Sequence, residues 1–202
     1  TLAHDFRSID TSTTRVVLIE AGSRVLSVFP EKLSSYAQQA LDKLGVEVVL
    51  GTPVTECSEK GVVYGGKPLP AKTILWAAGV QASPAAKWLG ATADRAGRVV
   101  VEPDLTVPGN NNIFVIGDTA SCAMPDGSLV PGIAPAAKQQ GQYVSKLIRR
   151  RLKSKPVDEV FVYHHQGNLA TIGHGSAVIH MGRLKLRGAV AWWIWKLAHI
   201  YF

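Results

Sequence analysis

Apolar positions along the chain alternate between two spacings, and the changes of spacing mark its elements. Leu2, Phe6 and Ile9 recur as one helical face, which the polar run Asp10 to Thr14 breaks. R-V-V-L-I-E-A-G (Arg15 to Gly22) is a block of β-branched and aliphatic residues and predicts a strand that ends at Glu20. From Pro30 to Leu44 the residues Leu33, Ala37, Ala40, Leu41 and Leu44 form an apolar stripe, which predicts a helix stopped by Gly45. Val46 to Leu50 predicts the next strand, and the stretch from Val54 to Pro70 an antiparallel excursion turning at Gly65 and Gly66.

T-I-L-W-A-A-G-V (Thr73 to Val80) reads as another buried strand. Gln81 to Arg95 reads as loop and short helix crossing between domains. N-N-I-F-V-I-G-D-T-A (Asn111 to Ala120) predicts a buried strand of a parallel sheet, its four apolar residues running into Gly117 and Asp118. Ser121 to Leu129 reads as a loop, and Pro131 to Leu152 as a helix with a proline near its start. Two short strands around glycines are expected between Phe161 and His180, and an amphipathic helix from Ala189 to Phe202. Strands alternating with helices place the chain in the α/β class with parallel sheets.

Composition narrows this only slightly. With 202 residues, 47% of them hydrophobic, the chain is long enough for a sizeable core. The net charge of +7 favours anionic partners. The basic run Arg149 to Lys155 fits the C-terminal end of its helix, and no aromatic or glycine-rich nucleic-acid motif accompanies it, so nucleic acid is not expected. Cys57 and Cys122 stand far apart without a C-x-x-C, which argues against a disulfide framework or a zinc site. His164, His165, His174 and His180 lack a ligand spacing, so no metal is expected.

Several residues carry candidate chemistry. Asp118 follows a strand end, where open α/β sheets bind ligands. There it accepts hydrogen bonds from a polyol or ribose hydroxyl, or else simply caps the next turn. Glu20, at a strand tip, either accepts from adenosine ribose hydroxyls, favouring NAD over NADP, or is an exposed strand-end carboxylate. Ala77, Ala78 and Gly79 let a flat ring or a pyrophosphate lie close to the backbone, though tight packing explains them equally well. The helix starting after Pro131 offers free N–H groups and a positive dipole end, suited to the electron-rich edge of a reduced ring.

The tail has its own chemistry. Arg183, Lys185 and Arg187 precede A-W-W-I-W-K-L-A-H-I-Y-F, and Ala189 to Phe202 is 14 residues, short of the ~20 that span a bilayer. Trp and Tyr favour the interface and cations favour anionic headgroups, so the segment reads as a helix lying on a membrane, with a core or dimer-interface helix as the other reading.

Read together, G-R-V-V-V-E-P-D-L-T, V-P-G and I-F-V-I-G-D resemble the second flavin-binding signature of flavoproteins with two dinucleotide-binding domains. L-A-T-I-G-H-G-S-A-V and the Trp-rich tail make the whole chain similar to the type II NADH dehydrogenases, single-subunit, membrane-surface NADH:quinone oxidoreductases. The resemblance implies a partial two-dinucleotide-binding-domain fold, with Rossmann-like parallel sheets and a C-terminal membrane-associating segment. Residues 1–84 would be the remainder of the NADH-binding domain, 85–155 the C-terminal part of the FAD-binding domain, and 156–202 the terminal strands and anchoring helix.

It further implies FAD and NAD as cofactors. Hydride passes from NADH to flavin, and electrons then pass to a membrane quinone, without proton pumping, in a respiratory chain. Glu20 would bind the NADH ribose, Ala78 and Gly79 would line the nicotinamide side, Gly117 and Asp118 would bind FAD, and Ala134 would meet the flavin ring. Gln139 falls where the family's A-Q-x-A-x-Q segment places its second glutamine, near the quinone. Pro135 stands where many members have the first. No side chain is assigned as catalytic, since the flavin does the chemistry.

The implied location is peripheral, on the cytoplasmic face of the inner (plasma) membrane, with a homodimer left open. The glycine-rich turns for both nucleotides would fall before Thr1, so the chain reads as a C-terminal portion, inactive alone. Rival readings are a sulfide:quinone, ferredoxin or dithiol reductase of the same superfamily, and a non-catalytic membrane-surface module.

Overall fold

The computed structural model describes residues 10, 14–156 and 160–201. The expected helical face of Leu2, Phe6 and Ile9 lies outside them. The chain divides into two compact units, residues 1–76 with 167–202, and residues 77–166. The strands and helix after Gly167 are counted with the first unit.

In the first unit, β1 (Val16–Glu20) and β2 (Val46–Leu50) pair in parallel, Val16 beside Val46 and Glu20 beside Leu50. They are linked by α1 (Glu31–Lys43), whose cap falls at Leu44. Gly45 follows with φ +78°, a conformation that ends a helix at little cost for glycine alone. β3 (Val54–Ser58), β4 (Gly61–Tyr64) and β5 (Lys67–Pro70) form the antiparallel excursion. Its hairpin turns at Gly65 and Gly66, both at positive φ as a two-residue turn requires.

β10 (Asn168–Thr171), β11 (Ala177–Met181) and β12 (Leu184–Gly188) make a second antiparallel sheet. β11 is buried on both faces. Val178 and Ile172 pack with Phe29, Leu33 and Ala37, while Ala177 and Ile179 pack with Ala191. This alternation is the period of two of a strand covered on both sides, here by α1 and by α4 (Ala189–Tyr201). β10 and β11 stand where two short strands are expected, and β12 adds a third beyond them, in the basic stretch that leads into the tail. Among the described residues no helix is long and apolar enough to cross a membrane.

The second unit holds α2 (Ala85–Leu89) and the long α3 (Ala134–Arg151). β6 (Val99–Val100) pairs in parallel with β9 (Ala120–Ser121), and β7 (Thr106–Val107) antiparallel with β8 (Asn110–Phe114). Val99, Leu105, Val107, Val115, Cys122, Val130, Ala136, Val144, Phe161 and Tyr163 make its core. Arg151 fastens the end of α3 to the β7–β8 ribbon. Its guanidinium donates to Asp104 Oδ2 at 2.8 Å and to Asn111 O at 2.6 Å, and lies over the Phe114 ring.

Two strand expectations are corrected. Asn111 to Phe114 belong to an antiparallel ribbon, and the parallel pairing begins only at Ala120, beyond Asp118. Thr73 to Val80 forms no strand, and Leu75 is 87% and Val80 81% exposed. A strand exists through the backbone partners beside it, and no described residue pairs with this segment.

Candidate functional site

The site in the second unit grows from a glycine turn and a helix start. After β8, Val115 N–H donates to Leu105 O at 3.1 Å and ties the chain to the core. Gly117 then takes φ +67°, and Gly117–Thr119 close a single 3-10 turn. This turn packs on α3: a Cβ placed on Gly117 would lie 3.5 Å from Ala137 Cβ.

Asp118 projects from that turn beside the loop leading into α3, its Oδ1 3.4 Å from where a Cβ of Gly132 would lie. The side chain is exposed and has no hydrogen bond or ion pair with any described residue. An unengaged carboxylate on a glycine turn can accept hydrogen bonds from hydroxyls. It does not cap the turn.

α3 begins at Ala134, with Ile133 as its cap residue in extended conformation and no side-chain cap. Ala136 and Ala137 N–H both donate to Ile133 O, at 3.0 and 3.1 Å. Ala134 N–H has no preceding turn to donate to, so it remains available at the positive end of the helix. Pro135 in the first turn costs no hydrogen bond. Gly117, Asp118, Gly132 and Ala134 thus come together, the carboxylate next to a helix N-terminus.

Gln139 lies one turn further on, with both ends of its amide engaged: Nε2 donates to His164 O at 2.9 Å, and Oε1 accepts from His164 N–H at 3.0 Å. Nearby along that segment, the hydroxyl of buried Tyr163 lies 3.2 Å from His165 Nδ1. Ala78 and Gly79 are exposed in the open segment before α2, with Gly79 at φ +98°. That segment reaches the turn through Ser83 Oγ, 3.5 Å from Thr119 Oγ1.

Glu20 belongs to the first unit. Its Oε1 accepts from Gly22 N–H at 2.6 Å, so one carboxylate oxygen is committed to its own loop. Among the described residues no group of three or more His, Cys, Asp and Glu is placed to hold a metal ion.

The sequence reading missed Gln140. It is 2% exposed, and its Oε1 accepts from Gly117 N–H at 2.6 Å. A signal was present: Ala136, Gln140, Val144 and Leu147 are the buried stripe of α3, and a glutamine in such a stripe requires a partner.

The profile of the pyridine nucleotide-disulphide oxidoreductases matches residues 2–141. The chain belongs to that family. Among curated members it is 39% identical over 215 residues to the type II NADH:quinone oxidoreductase NdhA of Mycobacterium tuberculosis, with 100% of this chain and 45% of that protein covered. It is 36% identical over 184 residues to the type II NADH:quinone oxidoreductase of Staphylococcus haemolyticus, covering 87% of this chain and 44% of that one.

A solved structure of NDH2 from Plasmodium falciparum in complex with NADH matches with a TM-score of 0.85 at 17% identity, over 99% of this chain and 56% of that chain. The sulfide:quinone oxidoreductase of Aquifex aeolicus matches with a TM-score of 0.74 at 16% identity, over 100% of this chain and 51% of that one. These two likenesses establish the fold. The chain spans under half the length of the curated relatives it matches.

Proposed function

We propose that this chain is part of an FAD-dependent oxidoreductase that passes electrons from NADH to a membrane quinone. The observation that carries the reading is the unengaged Asp118 carboxylate on the Gly117 turn, set beside the free N-terminus of α3. The relatives named type II NADH:quinone oxidoreductases, aligned over 100% and 87% of the chain, point the same way. They favour it over the sulfide:quinone reading, which rests on a shared fold.

The residues fit the flavin. Asp118 would accept hydrogen bonds from the hydroxyls of its polyol chain, and Gly117 leaves room for that approach. Ala134 N–H would face the edge of the ring that becomes electron-rich on reduction. When bound, the flavin supplies the two-electron chemistry that links hydride donor to quinone. Ala78 and Gly79 would line the nicotinamide side, since neither has a side chain that obstructs a flat ring. Glu20 would use its uncommitted oxygen for the ribose hydroxyls of NADH, with Oε1 held by Gly22. Gln139 would border the quinone.

On this reading residues 1–84 contribute NADH-binding structure, 85–155 FAD-binding structure, and 156–202 the membrane-facing part. The outward face of α4 supports the last role: Val190, Trp193, Leu197 and Ile200 are 55–75% exposed. Lys196 lies over the Trp192 and Trp193 rings, and Arg183 and Lys185 are exposed on the adjoining hairpin. Such a face suits the headgroup boundary of an anionic membrane, on its cytoplasmic side, without crossing it.

The test uses the polypeptide that carries this sequence at its natural length. Its visible spectrum is taken before and after NADH is added without air, and a quinone is then supplied. A flavin band that bleaches with NADH and returns with quinone is the expected result. A protein that takes up no FAD, or whose flavin ignores NADH, would sink the reading. The 202 residues alone should turn over little.

A further inference from the structure

We propose that Gln140 is a positioning residue for the flavin-binding turn, acting through Gly117 on Asp118. The proposal rests on the reading of Asp118 as the polyol anchor and adds a residue that does not itself touch the ligand. Three observations converge on it.

The first is burial. Gln140 is 2% exposed in a helix stripe otherwise made of Ala136, Val144 and Leu147. A buried amide costs stability unless hydrogen-bonded, and an apolar residue would pack there without that cost. The second is the bond itself. Gly117 N–H is a donor, so only the oxygen end of the amide can meet it, and Oε1 does so at 2.6 Å.

The third is conformational. Gly117 sits at φ +67°, a left-handed conformation open to it because, without a Cβ, it is free to adopt positive or negative φ. The same freedom lets the Gly117–Asp118 peptide swing, carrying the carboxylate with it. No carbonyl of the β7–β8 ribbon takes this N–H. The helix supplies the acceptor instead, across 23 positions of sequence. With that bond in place, the Asp118 carboxylate is held over Gly132 at the mouth of α3. A further consequence is that Gly117 N–H is closed to any ligand, so backbone contacts from this turn come from residues after Gly117.

The experiment compares the natural-length polypeptide with Gln140→Met, Gln140→Glu and Asp118→Ala. Methionine keeps the length and removes the acceptor, whereas glutamate keeps an acceptor oxygen. Two readouts are taken: amide hydrogen exchange at Gly117 without flavin, and the FAD dissociation constant together with the flavin circular dichroism band.

In the unsubstituted protein Gly117 N–H should exchange as slowly as the middle of α3. Exchange at the rate of an open loop overturns the proposal without any variant, including the case in which Gln140→Met does not fold. With folded Gln140→Met, Gly117 exchange should accelerate at least tenfold, FAD should bind roughly tenfold more weakly, and the flavin band should change shape. Gln140→Glu should restore slow exchange and most of the affinity. Unchanged FAD binding in Gln140→Met overturns the positioning role if Asp118→Ala weakens FAD. If Asp118→Ala binds FAD normally, the reading of Asp118 fails, and the exchange data still decide whether Gln140 holds Gly117.

Discussion

The amide of Gln139 grips a single residue, His164, by both its N–H and its C=O, at 3.0 and 2.9 Å. The two residues are 25 positions apart, and the pair works as an artificial ladder rung between α3 and the segment 161–166. On the proposed reading Gln139 borders the quinone, so its influence would run through the placement of this segment.

Gln139→Ala removes both bonds. The expected outcome is a quinone KM about fivefold higher, equivalent to one net hydrogen bond of ~1 kcal/mol, with the NADH KM unchanged. Steady-state kinetics with each substrate varied in turn checks this. A rise in the NADH KM alone would contradict the placement.

Leu105 is fully buried yet sits at φ +68°, a left-handed conformation that a branched residue resists. Leu105→Ala should cost ~2–5 kcal/mol, from lost contacts and a cavity. Leu105→Gly makes a similar cavity but removes the backbone strain, so it should be no less stable than the alanine variant. That order is the reverse of the usual one. Urea unfolding of the two variants decides it.

Asp94 governs part of the acid limb of stability. Burial pushes its carboxyl up, but hydrogen bonds from the Arg98 and Ala96 N–H groups and from the Arg98 guanidinium outweigh that, and hold it below the usual carboxylate range. A lowered folded value means stability that is present above the unfolded carboxylate value and is lost as pH falls through the folded one. Asp94→Asn should therefore flatten the fall in urea midpoint on the acid side, and leave a smaller midpoint at neutral pH.

The two cysteines should respond differently to a thiol reagent. Cys57 is exposed, whereas Cys122 is buried, and burial pushes the Cys122 thiol up. One equivalent should react in native buffer and two in denaturant, with mass spectrometry placing the first on Cys57. The raised Cys122 value adds a sign for stability. Its contribution is fully present below the unfolded thiol value and is lost as pH rises through the folded one.

Much of the local structure was legible because local rules decide it. The stripe Leu33, Ala37, Ala40, Leu41 and the stop at Gly45 foretell α1, which runs Glu31–Lys43. The glycine pair at 65 and 66 foretells the hairpin. The Gly117–Asp118 turn beside a helix start was also readable, since glycine, carboxylate and proline each have a positional meaning. Gln140 was readable in principle, as a polar residue in an apolar stripe, but its partner was not. Nothing local connects it to Gly117.

Thr73 to Val80 and Ile113 to Ile116 show where such reading stops. Both runs are apolar enough for buried strands, yet the first pairs with no described residue and the second begins inside an antiparallel ribbon and leaves it after Phe114. Hydrophobicity records that a segment tends to be covered. It does not record which backbone lies alongside.

The sequence by itself determined α1, the glycine hairpin and the flavin-type signature, because spacing, turn chemistry and side-chain type act within a few residues. Tertiary structure alone decided that β10–β12 pack with α1 and α4, and that Gln139 and Gln140 point to different backbones. Those outcomes depend on burial and hydrogen-bond satisfaction across tens of residues, where one chain segment supplies the partner that another lacks.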